Sequence, residues 1–315
     1  MFQWLRALKQ TTTGLGLLTI VVLWSGVFLL ASQEREHASQ AAEQRGRSLA
    51  RVFEEYISRV IKETDSQLRL LRKLYQQDSE HFDFAIWTDG ARDLSDLTLQ
   101  FSITRPDGII RLSTLGPIQS KADISHSDAF SAHMNSAEDH LLIGKPTIGL
   151  ISGKPSVNLT RRLTAPDGSF DGIIAASLDV LQLEAFYNSV DVGKGGVIVL
   201  VGLDGIIRAR SGRGPAAAQF IGESASRTKW FERSRQSPEG NYWSLGNTPR
   251  QFSTINRLMS FRVVEGLPLI AAVGLAESDI FEKSISTASL YYRNGSLLTS
   301  LCLLQSLSAQ GGKCN

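Results

Sequence analysis

Apolar residues fall into three patterns along this chain: one unbroken block near the start, a pair of diagonal stripes after it, and then short runs punctuated by Asp-Gly. The block is Thr11–Ala31, TTTGLGLLTIVVLWSGVFLLA, inside a stretch of 24 uncharged residues between Lys9 and Glu34. As a helix that stretch would be about 36 Å long, enough to cross a hydrocarbon core of ~30 Å. A helix also satisfies every backbone polar group internally, which a bilayer demands. A cleaved signal peptide is the alternative, but its apolar region would be shorter, ~7–15 residues, and end in a small-residue site. Leu29-Leu30-Ala31-Ser32-Gln33 is a weak site, so the pattern predicts an uncleaved anchor over 11–31. Arg6 and Lys9 precede it and no acid occurs in the first ten residues. The positive-inside rule then keeps residues 1–10 in the cytoplasm and exports the chain beyond the anchor.

From Gln33 to Gln77 the chain has no Pro and only one Gly, Gly46. Leu49, Phe53, Tyr56 and Val60 recur at spacings of 4, 3 and 4, beside a second stripe of Ile57, Ile61, Leu68, Leu71 and Tyr75. Arg51, Glu54, Glu55, Arg59, Lys62, Glu63, Arg69 and Arg72 occupy the opposite face. The period is helical, and it predicts one long amphipathic stalk over 33–77. Strict heptads are not sustained, so packing of the stripe on the body is favoured, with a homodimer through the stalk as the second reading.

The body repeats itself. Arg105-Pro-Asp-Gly-Ile-Ile-Arg-Leu-Ser113 matches Gly202-Leu-Asp-Gly-Ile-Ile-Arg-Ala-Arg210, with the aspartates 97 positions apart. Asp-Gly between apolar runs signals a hairpin, with both central positions expected at positive φ. Val157–Leu163 followed by Ala165–Ser177 matches Ile255–Val264 followed by Glu265–Val273, and Ile174-Ala-Ala176 lies 96 positions before Ile270-Ala-Ala272. Two pairs at nearly one offset indicate a domain-sized duplication. Each copy is expected to hold four or five mostly antiparallel strands with helical segments between the first and later hairpins, an α+β class. Leu178–Val190 is expected to be a joining helix and Ala276–Thr287 its counterpart.

With 315 residues the chain can build a sizeable core. Its 33 basic and 31 acidic residues nearly cancel, and no basic cluster is interleaved with aromatics, so nucleic acid is not expected as a partner. The only cysteines, Cys302 and Cys314, lie in the last fourteen residues, so no disulfide framework is available to the body. No Gly-x-Ser-x-Gly elbow, His-Glu-x-x-His or P-loop occurs, and an enzyme is not expected. The uncharged run Asn294–Gly312 counts 19 residues, marginal for a second span, and 284–315 is expected to be a truncated one.

A membrane helix, a stalk and two tandem PAS-like modules resemble the double Cache sensor domain of bacterial membrane receptors. The likeness is to the periplasmic part of diguanylate cyclases, phosphodiesterases and sensor histidine kinases. The matching segments are Ser125–Phe130, Ile143–Pro146, Ser152–Lys154, Leu159–Leu163, Asp167–Ile173, Asp204–Ala209 and Pro268–Gly274. The resemblance implies a membrane-distal module at 82–190, a membrane-proximal one at 191–283, and an inner-membrane protein with its main domain in the periplasm. It implies a small-molecule ligand, carboxylates among the candidate classes, and a signal passed across the membrane. The cytoplasmic effector that such modules usually serve is missing from the sequence. An envelope interaction protein that binds a protein partner is the alternative.

The resemblance further implies a ligand held between the distal sheet and its covering helix and loop. The polar candidates there are His126, Asp128, His133, Lys145, Asn158, Arg161, Arg162 and Asp179. Arginine offers a fork for a carboxylate and aspartate suits an amine, so Arg161 and Asp128 form the leading pair. Alternation along a strand places Arg161 and Arg162 on opposite faces, which leaves one as a solvated surface charge. Asp128 also reads as a helix N-cap, for which the neighbouring serines serve equally well. His126 and His133 lack close zinc-ligand spacing, and no metal or cofactor is expected. The aromatic-rich Tyr/Arg/Trp signature that double Cache domains use for amino acids is missing, which disfavours an amino-acid ligand. In the proximal copy, Lys229, Trp230, Arg233 and Tyr242 could line a second cavity, with packing and relay as the simpler role.

Overall fold

The computed structural model describes residues 2–84, 86, 97–118, 122–183, 190–212, 220–246 and 254–311. The chain forms two compact units: Arg45–Ala276, and Met1–Gln44 together with Glu277–Asn315.

Helix α1 runs without a break from Phe2 to Gln77. Within the larger unit its apolar stripe is buried: Phe53, Ile57, Val60, Ile61, Leu68, Leu71 and Tyr75 are each at most 7% exposed. Burying each of these large side chains contributes about 1.5–3 kcal/mol. The stripe therefore packs on the body, and Val52 and Leu70 are the large apolar side chains of residues 45–77 left exposed. Two of the charges expected to be solvated are not. Glu54 reaches Arg262 on the second copy, and Arg72 donates to Asp139 on the first. Gly46 lies so close to Ser260 that a β-carbon there would collide with its hydroxyl. The stalk's one glycine thus marks where helix and sheet touch.

The first module is β1 (Thr98–Thr104), β2 (Ile110–Ser113), α2 (Asp128–Met134), β3 (Leu142–Ile148), β4 (Pro155–Thr164) and β5 (Phe170–Asp179). The second is β6 (Val197–Gly202), β7 (Ile207–Gly212), α3 (Lys229–Ser234), β8 (Glu239–Ser244), β9 (Arg257–Val263) and β10 (Leu269–Ala276). Each forms a five-stranded sheet of the same order, β2-β1-β5-β4-β3 and β7-β6-β10-β9-β8. Every one of these strand pairs is antiparallel.

Pairing corrects the repeat offset at its second landmark. Ser102 faces Ala175 and Val199 faces Ala272, so the copies align with a spacing of 97 there too. The apparent 96 came from sliding the Ile-Ala-Ala match by one residue. Turn geometry corrects the hairpins. In each, the glycine N–H bonds back three residues, Gly108 to Arg105 and Gly205 to Gly202, and the glycine has φ 84° and 81°. Pro106 fixes its own φ near −65°, which excludes the turn with two positive-φ centres. The joining helix is shorter at its start than expected, because Leu178 and Asp179 still belong to β5 and helix begins at Val180. Its continuation over 184–189 lies outside the described residues.

In the smaller unit, α4 (Glu277–Gly311) is one helix that takes in the expected joining helix from Glu277 to Thr287 and the uncharged run from Asn294 to Gly311. It lies against the first part of α1. Trp24 Nε1 donates to Thr299 Oγ1 at 3.1 Å, the Trp24 and Tyr292 rings stack 6.0 Å apart, and the Arg35 guanidinium sits 4.9 Å over Phe281. Among the described residues, α1 is the one helix long and apolar enough to cross a membrane.

Candidate functional site

The face of the first sheet opposite α1 floors a cavity of about 530 Å³, closed by the β2–α2 segment and by β3 with the turn after it. Strand alternation decides what reaches it. Gln100 and Ser102 of β1, Asn158 and Thr160 of β4 and Ser177 of β5 point in; Phe101, Ile103, Leu159 and Ile174 point toward the other, apolar side. The floor is thus a set of uncharged hydrogen-bonding groups. Ser177 donates to Asn158 Oδ1 at 2.7 Å, and Asn158 Nδ2 donates to Thr147 Oγ1 at 3.3 Å. Gln100 and Ser102 are each 5% exposed, and among the described residues their side chains make no internal hydrogen bond. Ile110, Ile124, Ile151 and Ile173 supply apolar wall. At the mouth, Lys145 donates to Asp128 at 2.8 Å, and that bond holds the Asp128 carboxyl below its ordinary range. His126 and Asp123 line the same rim.

The second copy carries apolar residues at most of the matching positions. Pairing makes Gln100, Ser102, Asn158, Thr160 and Ser177 equivalent to Val197, Val199, Met259, Phe261 and Gly274. Val197, Val199, Met259 and Phe261 belong to a hydrophobic core cluster with Trp230 and Phe231. A polar floor under an open cavity in one copy, against apolar packing in the other, singles out the first as the candidate binding chamber.

Of the residues expected from sequence, Asp128, Lys145, Asn158 and His126 meet at this cavity. The others do not. Arg161 and Arg162 do face opposite ways, but neither is a solvated charge: they are 2% and 6% exposed. Arg161 turns to the α1 side, where Nε and Nη2 donate to Asp65 at 2.5 and 2.9 Å and Nη1 donates to Asp139 at 2.6 Å. Arg161 is therefore a buried ion-pair centre and not a partner of Asp128. Arg162 donates to the His133 and Ser136 carbonyls and lies 4.9 Å over the Phe170 ring. His133 is fully buried behind the floor, 3.0 Å from Thr160 Oγ1, and burial pushes its imidazole down to about 4. Asp179 accepts from Leu181 and Gln182 N–H groups and caps the helix after β5. Ser127 caps α2, leaving Asp128 free to meet Lys145. Sequence reasoning missed Gln100, Ser102, Thr160 and Ser177. Their signal was polar residues at alternate positions of strands that otherwise read as core.

In the second module, Trp230 lines a cavity, and the Arg233 guanidinium lies 5.0 Å over the Tyr242 ring.

No protein-family model matches the sequence, and no curated protein sequence matches it. Solved structures do. The chain is similar to the extracellular domain of a protein assigned as a histidine kinase, rpHK1S-Z16, at 23% identity and TM-score 0.66, over 76% of this chain and 95% of that one. It is similar to the periplasmic sensory domain of the Campylobacter jejuni chemoreceptor Tlp1 at 11% identity and TM-score 0.61, over 78% and 98%. It is also similar to the ligand-binding domain of the Pseudomonas fluorescens chemoreceptor CtaA in complex with L-alanine, at 14% and 0.53, over 74% and 96%. Two five-stranded sheets of one order, repeated along a single long helix, give the body of this chain the tandem PAS-like fold of double Cache sensor domains.

Proposed function

We propose that this protein is a membrane-anchored extracytoplasmic sensor whose first, membrane-distal module binds a small polar molecule. The observation that carries the reading is the cavity of about 530 Å³ over a neutral hydrogen-bonding floor, at positions where the second copy carries apolar residues. Residues 11–31 of α1 anchor the chain, 33–77 form the stalk, and α4 carries the signal back toward the membrane. The paired contacts of Trp24 with Thr299 and Tyr292 support α4 as a companion of the anchor. The main domain lies in the periplasm, anchored in the bacterial inner membrane.

The ligand meets uncharged groups on the floor and a charge of each sign at the mouth. Amino acids, such as the L-alanine of the CtaA domain, would place a carboxylate on Lys145 and an ammonium on Asp128. Neutral polyols or amides would use the floor alone. Transmission is supported by adjacent residues of β4. Arg162 holds the end of α2 on the cavity side, and Arg161 holds Asp65 of α1 on the other. A ligand biases such an arrangement only by its differential affinity for the two states.

The test is a thermal-shift screen of the full chain in detergent against amino acids, carboxylates, amines, sugars and purines. Ligand bound to the native state alone raises the melting temperature by mass action. A concentration-dependent rise that Asn158→Leu and Thr160→Val abolish supports the reading. No rise with any class, or no rise that either variant abolishes, overturns it and favours the interaction-protein alternative.

A further inference from the structure

Among the described residues, four arginines of the body are buried, and three have their charge or their N–H groups matched. Arg161 has Asp65 and Asp139, Arg162 has two carbonyls, and Arg208 forms a two-pronged pair with Asp204. Arg210 on β7 is the exception. It is 8% exposed and stacks on the ring of Phe220, 4.5 Å from the guanidinium carbon; its Nε has no hydrogen-bond partner, a lack it shares with the Nε atoms of Arg162 and Arg208, whose other N–H groups are matched. Burial first, and then a like charge on Arg257, depress it to about 10.

A buried cation without a counter-charge is costly, and a buried group of this kind is ordinarily paired. The chain does not supply the anion locally. No Asp or Glu occurs from Gly205 to Gly222, the segment that carries Arg210. Arg210 instead faces a cavity of about 50 Å³, together with Arg257, whose Nε donates to the Gly195 carbonyl at 2.8 Å. Ser244 and Thr228 add hydroxyls, and Val199, Ile207 and Trp230 make the walls apolar. Strand pairing makes the two arginines equivalent to Ser113 and Ser156 of the first copy. The modules have therefore exchanged character: neutral polar floor and large cavity in one, paired guanidinium groups and a small apolar-walled cavity in the other.

We propose that the second module holds its own ligand, a short-chain monocarboxylate of two or three carbons, with the carboxylate on Arg210 and Arg257 and the tail against Val199, Ile207 and Trp230. A guanidinium fork matches a carboxylate geometrically, and the volume excludes larger acids. This site stands independently of the distal one.

The experiment is a thermal-shift titration of the full chain in detergent with sodium acetate and propionate, at ionic strength held constant with sodium chloride, and with succinate as the oversized dianion. The expected result is a saturable rise of several degrees with acetate or propionate and none with succinate. Arg210→Met should abolish the rise while leaving the unliganded protein at least as stable, because it removes an uncompensated buried charge. Should Arg210→Met fail to fold, Arg257→Gln serves instead, and it should weaken the response severalfold. Asn158→Leu should leave the acetate response intact, which separates this site from the distal one. No response to acetate or propionate, an equal response to added chloride alone, or a response unchanged in both arginine variants would overturn the proposal.

Discussion

Removing the Asp65 carboxylate tests the claim that Arg161 is held as a structural ion pair between α1 and the first sheet. Arg161 is 3% exposed at its side chain and Asp65 14%, so the pair sits largely out of water. Breaking a buried pair from one side costs about 3–5 kcal/mol, because the remaining charge stays desolvated. Arg161 retains Asp139 as a second partner, but that carboxylate is 46% exposed and is shared with Arg72. Asp65→Ala is therefore expected at the low end, about 3 kcal/mol. For a body of this size that corresponds to a fall of about 6–12 °C in melting temperature. The assay is thermal unfolding of the full chain in detergent, followed by far-ultraviolet circular dichroism. Glu55→Ala, which breaks the solvent-exposed Arg51–Glu55 pair, is the control and should leave the midpoint unchanged. Asp65→Ala combined with Arg161→Met should recover most of the loss, since the orphaned charge goes with its partner. A loss below about 1 kcal/mol for Asp65→Ala, or a double variant worse than the single one, would refute the reasoning.

The same geometry sets other outcomes. His133 is held neutral down to about 4, whereas an unfolded histidine protonates near 6.5. As pH falls between these values the unfolded state takes up the proton first, so stability is lost across that window; His133→Gln should flatten the pH dependence of the melting temperature there. Asp139 is held down at about 2, first by the Arg72 hydrogen bond and then by Arg161, against its partial burial. Its contribution is present above about 4 and is lost as pH falls from there toward 2, a loss that Asp139→Asn should remove from an acid titration of the fold. Gly108→Ala should destabilise by about 2–4 kcal/mol, because the residue has φ 84° and a β-carbon would lie 2.6 Å from the Ser125 backbone. Gly168→Ala, at φ 87° with nothing within 4 Å, should cost only about 1 kcal/mol in the same unfolding assay.

The fold was legible because its signals are local and occur twice. Asp107-Gly108 and Asp204-Gly205 each close a hairpin, and the strand sequences around them repeat. The stalk was legible because a buried face of a helix must recur every three or four residues, and Phe53, Ile57 and Ile61 do. What the sequence left open is which side of a sheet looks at what. Arg161 and Arg162 alternate as any strand neighbours do, and nothing local says that α1, with Asp65, covers one side and α2 the other. Long-range pairing decided it, and it turned the leading ligand candidate into part of the scaffold. The floor was hidden for a related reason. Serine, threonine, asparagine and glutamine within a strand look like a weakened core until the second copy, with Val197, Val199, Met259 and Phe261 at the matching places, shows what a core looks like there.

The central claim is that the first module holds the ligand over its polar floor. The most direct measurement is hydrogen exchange of the full chain in detergent, with and without the strongest compound from the screen. Ligand in that chamber should slow exchange in Leu142–Thr160 and in the segment leading into α2, and Thr160→Val should erase the protection. Protection confined to Val197–Gly212 and Arg257–Val263, or protection unchanged by Thr160→Val, would contradict the account.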